Sequence, residues 1–137
     1  MTGLVDTNVV LDVLLARKPW VDASKSVWRA CDEDRLSGYV PAFTLPTIFY
    51  VVRRTAGLPS AHEAVQVCLE AFEILPTSRE TLELAASLPG SDFEDKLQIA
   101  TAILGRLDLI VTRDSAGLSN DRVPAVTPAE AIARLKP

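Results

Sequence analysis

The feature that most limits the fold is a regular exchange of two hydrophobic periods along the chain. Short apolar runs at Leu4-Val5, Leu36–Pro41, Phe72–Leu75, Leu109–Val111 and Val123–Val126 read as strands. Between them lie segments with helical spacing: Thr7 to Leu15, about Pro19 to Asp34, Phe43 to Thr55, Ala61 to Leu69 and Arg79 to Leu88. Another helix begins within Ser91–Asp95, and a last one at Thr127-Pro128-Ala129-Glu130. Strands separated by helices require crossover connections. The expected architecture is therefore α/β, in three α/β/α layers around a mostly parallel sheet of four to five strands. The near-continuous apolar character of Leu109-Ile110-Val111 suits a strand buried on both faces.

Local signals give the helix starts. Thr7 is expected to cap the first helix. Pro19 is expected to open the second, where its missing N–H costs nothing, with Trp20, Ala23, Val27, Ala30 and Cys31 as the buried stripe. Ser60 is the expected cap of the helix over Ala61 to Leu69. Ser91 to Glu94 has capping-box spacing after the break at Pro89-Gly90, and Asp92 is the alternative cap. Asp12, Arg17 and Lys18 are expected to face solvent.

A chain of 137 residues, 48% hydrophobic, suits one domain spanning 1–137 with a real core. No apolar run approaches the ~18–20 residues that cross a bilayer. No signal-peptide pattern opens the chain, so a cytoplasmic protein is expected. Cys31 and Cys68 lie far apart in helical segments and read as reduced core thiols. With His62 as its one histidine, the chain lacks the ligands of an ordinary zinc site, and no nucleophile motif supports a Ser-His-Asp mechanism. A net charge of −4 argues against gripping nucleic acid by bulk positive charge. It leaves room for an acidic metal site with a few local arginines, since bound cations invert the local field.

Carboxylates mark the places where segments start and stop. Asp6 closes the first strand, Asp114 follows the fourth, and Asp95 stands at a helix start. In open parallel sheets, function gathers beyond the carboxyl ends of the strands. Acids converging there would form a hard, oxygen-rich site suited to Mg²⁺ or Mn²⁺. Each acid also has a plainer reading. Asp6 and Asp92 can be helix caps, Glu94 and Asp95 first-turn acids complementing the helix dipole, and Asp114 a turn residue before Ser115-Ala116-Gly117. Arg53-Arg54 can complement a helix C-terminus, and Arg113 can pair with a site carboxylate. Trp20, Trp28, Phe49 and Tyr50 fit helical core or interface stripes better than base-stacking platforms.

Taken in order, four segments resemble the PIN-domain family over essentially the whole chain. Leu4-Val5-Asp6-Thr7-Asn8 looks like its first-strand motif. Ser91-Asp92-Phe93-Glu94-Asp95-Lys96-Leu97-Gln98 resembles the D-F-E-D-A-L-Q segment of one bacterial branch. Val111-Thr112-Arg113-Asp114 looks like the T-R-N/D motif, and Val126-Thr127-Pro128-Ala129-Glu130 matches the terminal strand and helix. The resemblance implies Mg²⁺- or Mn²⁺-dependent RNA cleavage by a toxin of the VapC type, held in check by a cognate antitoxin protein. Asp6, Asp95 and Asp114 would be the metal-site acids, Glu94 and Asp92 secondary candidates, and Thr7 and Asn8 site-positioning residues. Arg113, Arg53 and Arg54 are candidate RNA contacts. One departure is visible: where family members commonly carry a glutamate after the second strand, this chain has Thr47, or Pro46. A hydroxyl there brings no charge, and Glu94 would supply part of what is missing.

Three functions follow. The first is a metal-dependent endoribonuclease. The second is a non-catalytic module of the same shape that binds RNA or protein, favoured by Thr47. The third is a receiver- or phosphatase-like α/β domain, which would have a lysine near a later strand end and an acceptor aspartate mid-chain, and neither is evident. The number of apolar helix faces around one small sheet points to a homodimer. For the nuclease, replacing Asp6 or Asp95 by Asn is expected to abolish cleavage without lowering the melting temperature, because clustered carboxylates repel.

Overall fold

The computed structural model describes residues 1–135; Lys136 and Pro137, the end of the expected 1–137 span, lie outside the described residues. In chain order the elements are β1 (Thr2–Val5), α1 (Thr7–Leu14), α2 (Val21–Asp32), β2 (Ser37–Pro41), α3 (Thr44–Ala56) and α4 (Leu58–Ala71). There follow β3 (Glu73–Leu75), α5 (Arg79–Ser87), α6 (Phe93–Leu104), β4 (Leu109–Val111), β5 (Ala125–Val126) and α7 (Pro128–Arg134). The five strands form one sheet in the order β3-β2-β1-β4-β5, every pairing parallel. This is the three-layer α/β/α arrangement expected from the alternation of periods.

Side chains alternate across each strand, so one strand feeds two cores. Val5, Val40, Leu109 and Val111 point to one face, where Val9, Val27, Ile48, Cys68 and Ala131 from α1, α2, α3, α4 and α7 cover them. Leu4 and Ile110 point to the other, against Ile99 and Ala102 of α6 and the loop residues Leu118 and Val123. Every residue of β4 is buried, which is why its sequence shows no polar alternation. Cys31 and Cys68 are buried free thiols. Burial pushes them up to about 11 and about 12, so neither is reactive at neutral pH. Among the described residues no helix is long and apolar enough to cross a membrane.

Several helix ends differ from expectation. Asp6, not Thr7, stands at the N-cap of α1, yet its side chain makes no capping bond there. Helix α2 begins at Val21, and its buried residues are Val21, Ser24, Val27, Ala30 and Cys31. Trp20 precedes the helix and is 42% exposed, its ring taken up by Arg113 rather than by the core. Helix α4 starts at Leu58 behind Gly57, whose φ of 95° lies in the region glycine favours, so Ser60 is inside the helix. Asp92 caps α6 by accepting from the backbone N–H of Asp95. Strand β5 is shorter than Val123–Val126, because Val123 turns into the second core. The Thr127–Glu130 capping box with Pro128 at the first turn is present as expected.

Helices α1, α2 and α6 end alike, each on a non-glycine residue in the left-handed region: Ala16 (φ 49°), Asp34 (φ 57°) and Arg106 (φ 54°). At the end of α1, the Ala16 N–H donates to the Val13 carbonyl and the Arg17 N–H to the Asp12 carbonyl. Those two bonds define a Schellman motif, which closes the helix and folds Arg17 back over Asp12.

Candidate metal centre

Strand order fixes where a site can form. From β1 the chain moves outward to β2 and β3, then returns to the other side of β1 as β4 and β5. The switch point lies between the carboxyl ends of β1 and β4, where adjacent connections diverge and leave a crevice. Asp6 leaves β1 there, and Thr112-Arg113-Asp114 leave β4. The start of α6 reaches the same rim, and the start of α3 closes it. The result is a cleft of about 320 Å³ lined by Asp6, Asp92, Glu94, Asp95 and Asp114 together with Thr7, Asn8 and Thr47. All the acids and site-positioning residues marked in the sequence thus surround one opening.

Asp6 is 6% exposed, and each of its oxygens accepts one hydrogen bond. One oxygen accepts from Gln98 Nε2 at 3.0 Å, the other from Thr112 Oγ1 at 2.8 Å. The Thr112 hydroxyl accepts in turn from the Asp114 backbone N–H at 3.0 Å, so a single buried side chain bridges the strand-end acid of β1 to that of β4. The Asp114 carboxylate accepts from the Gly117 N–H, making the turn that the sequence allowed, while still lining the cleft. A Cβ on Gly117 would collide with that carboxylate, so glycine is required for this turn to hold Asp114 in place. On the α3 side, the hydroxyls of Thr7 and Thr44 share a buried hydrogen bond of 3.3 Å, tying the start of α1 to the start of α3. Thr47 sits one turn further along α3.

The electrostatics follow from crowding. Burial, then the charges of Asp92, Asp6, Asp114 and Glu94, push Asp95 up to about 6. Glu94 is raised for the same reasons, burial first, then Asp92 and Asp6. The donor set is all oxygen, and its mutual repulsion is the kind a divalent cation relieves, so the residues fit Mg²⁺ or Mn²⁺. The carboxylates ring the opening rather than meet at a point: among the described residues no three His, Cys, Asp or Glu side chains are grouped closely enough to hold an ion as they stand.

The arginines separate into three groups. Arg53 and Arg54 are exposed at the end of α3, beside Tyr50 around a separate shallow depression, away from the acids. Arg113 turns away from the cleft. Its guanidinium lies 3.7 Å from the Trp20 ring centroid and its Nε 3.2 Å from Asp12 Oδ2. Asp12, expected in solvent, is fully buried, because it neutralises Arg113 and also faces Arg17 at 3.8 Å. Burial raises its pKa while Arg113 and Arg17 pull it down. Arg17, also expected in solvent, lines the cleft.

Sequence reasoning missed Gln98, Thr112, Asp12 and Arg17. A signal existed for two. Gln98 follows Asp95 by three residues and Glu94 by four, hence shares their helix face. Thr112 stands two residues before Asp114, the spacing at which a threonine hydroxyl accepts from a backbone N–H in a tight turn. The Asp12–Arg113 contact joins distant segments and leaves no such trace. His62 packs edge-on against Phe49, outside the cleft.

Comparison with known proteins agrees with this geometry. A family model described as a PIN domain matches residues 2–116. Among solved structures, VapBC2 from Rickettsia felis, bound to a promoter DNA fragment, aligns with a TM-score of 0.70 at 13% identity, covering 93% of this chain and 98% of that one. A toxin–antitoxin complex from Klebsiella pneumoniae aligns with a TM-score of 0.69 at 22% identity, covering 92% and 97%. VapC20 from Mycobacterium tuberculosis, a toxin that cleaves the sarcin–ricin loop, aligns with a TM-score of 0.64 at 14% identity, covering 79% and 86%. No curated protein sequence matches the chain. The match of the family model to residues 2–116, on a sheet whose strand ends carry the acids, establishes that this chain belongs to the PIN domain family.

Proposed function

We propose that this chain is an endoribonuclease dependent on Mg²⁺ or Mn²⁺, the toxin of a toxin–antitoxin pair acting in the cytoplasm. The observation that carries the reading is the cleft at the β1/β4 switch point, where Asp6, Asp95 and Asp114 arrive from three different elements with Glu94 and Asp92 beside them. When bound, the cation would polarise the scissile phosphate and activate water for its hydrolysis. The protein's part is positional. Gln98 and Thr112 hold Asp6 in one orientation, and the turn to Gly117 holds Asp114. The cap from Asp92 fixes the first turn of α6 and with it Asp95. Thr47 contributes a hydroxyl and no charge where relatives commonly have a glutamate, leaving Glu94 to share the load.

The partner reading rests on the toxin–antitoxin complexes among the structural neighbours. A groove of about 620 Å³ between α1, α2, α3 and α4 supports it. Its floor is apolar, including Leu14, Trp28 and Val52, and Asp32, Glu63 and Glu70 stand at its sides, a surface that fits an antitoxin segment with apolar and basic side chains. The exposed Tyr50, Leu58 and Leu69 on α3 and α4 favour a homodimer, which light scattering tests.

The deciding experiment incubates the purified chain with end-labelled RNA in Mg²⁺, in Mn²⁺ and in a chelator. Cleavage in either metal, abolished by the chelator and by Asp95→Asn, is expected. A chain that binds RNA and never cuts it would support the second reading, a non-catalytic PIN module, which the uncharged Thr47 favours.

A further inference from the structure

Resting on the nuclease reading, we propose that Arg17 is the phosphate-binding residue of the cleft, presented by the Asp12–Arg113–Trp20 stack. Among the described residues that line the cleft, Arg17 is the one cation, facing five acids. Nucleic acid approaching such a site meets repulsion from the carboxylates, and a guanidinium at the rim gives a phosphate oxygen a bidentate partner.

Three observations explain why Arg17 stays available. First, the Schellman end of α1 folds its backbone onto Asp12 through the bond from the Arg17 N–H to the Asp12 carbonyl. The side chain is therefore held on the α1 side instead of falling onto Asp95 or Asp114. Second, the charge of Asp12 is already met by Arg113 at 3.2 Å, the closer of its two guanidinium contacts. The three groups sum to one net positive charge, and Arg17 carries it. Third, its donors are nearly free. The contact with Asp12 is 3.8 Å and not aligned as a hydrogen bond, and the one hydrogen bond it makes is a long 3.5 Å contact to Asn8 Oδ1. Its side chain is 30% exposed and lines the cleft, whereas Arg113 does not line it and lies over the Trp20 ring, its Nε beside Asp12 without an aligned hydrogen bond. The candidate RNA contact thus moves from Arg113 to Arg17.

The test measures binding of a fluorescein-labelled, mixed-sequence 20-nucleotide RNA by anisotropy across a salt series, with each protein carrying Asp95→Asn so that the RNA stays intact, alongside cleavage kinetics in Mg²⁺ without that substitution. Arg17→Gln is expected to weaken RNA binding about tenfold, to flatten the logarithmic salt dependence by about 0.7, and to raise KM more than it lowers kcat. Arg17→Lys keeps a charge beside Asp12, so it folds normally, and it is expected to fall between the two because it lacks the planar fork. Arg79→Gln, on the exposed face of α5, is the control and should match wild type. Wild-type affinity and salt slope in both Arg17 variants would overturn the assignment. Arg17-dependent binding without any cleavage would overturn the nuclease reading and leave the assignment of Arg17 standing.

Discussion

Asp6 shows how a buried carboxylate is kept usable. Its two oxygens are each met by one uncharged donor, so the group stays oriented without a neutralising cation of the protein's own. Gln98 Oε1, in contrast, is buried and has no partner. That vacancy separates two substitutions. In Asp6→Asn the Gln98 amide can turn over, so that Oε1 accepts from the new side-chain amide while Thr112 still donates to its oxygen. Asp6→Asn is expected to melt within about 2 °C of wild type and to be inactive. Asp6→Ala leaves Gln98 and Thr112 unpaired and should cost roughly 1–3 kcal/mol, seen as a clear drop in thermal melting. Asp95 behaves oppositely. Its folded-state pKa of about 6 lies above its ordinary value of 3.8, so it binds its proton more tightly folded than unfolded. Its contribution to stability is full below about pH 4 and is lost as pH rises through about 6. Asp95→Asn should therefore flatten the loss of stability between pH 4 and 7 measured by melting without metal.

At the scale of the elements, helix starts were legible at α6 and α7, where a cap acid or capping box marks them, and misread at α1, α2 and α4. Thr127-Pro128-Ala129-Glu130 announces its capping box, and Asp92 stands three residues before the N–H it receives. The ends of α1, α2 and α6 lack the usual glycine signal. Gly105 sits at φ −76°, and it is the following Arg106 that takes the left-handed conformation. Ala16 does the same at α1, which is why Arg17 could not be placed from sequence. A methyl group in that region is strained, so Ala16→Gly is expected to raise the melting temperature by about 2–4 °C, after allowing for the greater freedom of glycine in the unfolded chain. An unchanged or lower value would mean that the turn is not strained. The start of α6 lines the cleft with Asp6 and Asp114 because α6 leads back to β4, which enters the sheet beside β1.

For the whole molecule, the alternation of periods carries the topology, since parallel strands must be joined by crossovers and the switch point must then collect the ends of β1 and β4. This is why the acids were legible as a group before any contact was known. The countercharges were not, because Arg113 and Asp12 are paired across a fold that the sequence does not order. A net charge of −4 sits with a cleft whose carboxylates repel one another. In the proposed function a divalent cation relieves this repulsion. The most direct measurement is the melting temperature of wild type and Asp95→Asn at pH 7.5 during titration with Mn²⁺. The expected result is an Asp95→Asn variant that starts about 2–5 °C higher than wild type without metal, while only wild type gains stability as Mn²⁺ is added. A variant that starts lower and gains as much as wild type would contradict a metal centre built on Asp95.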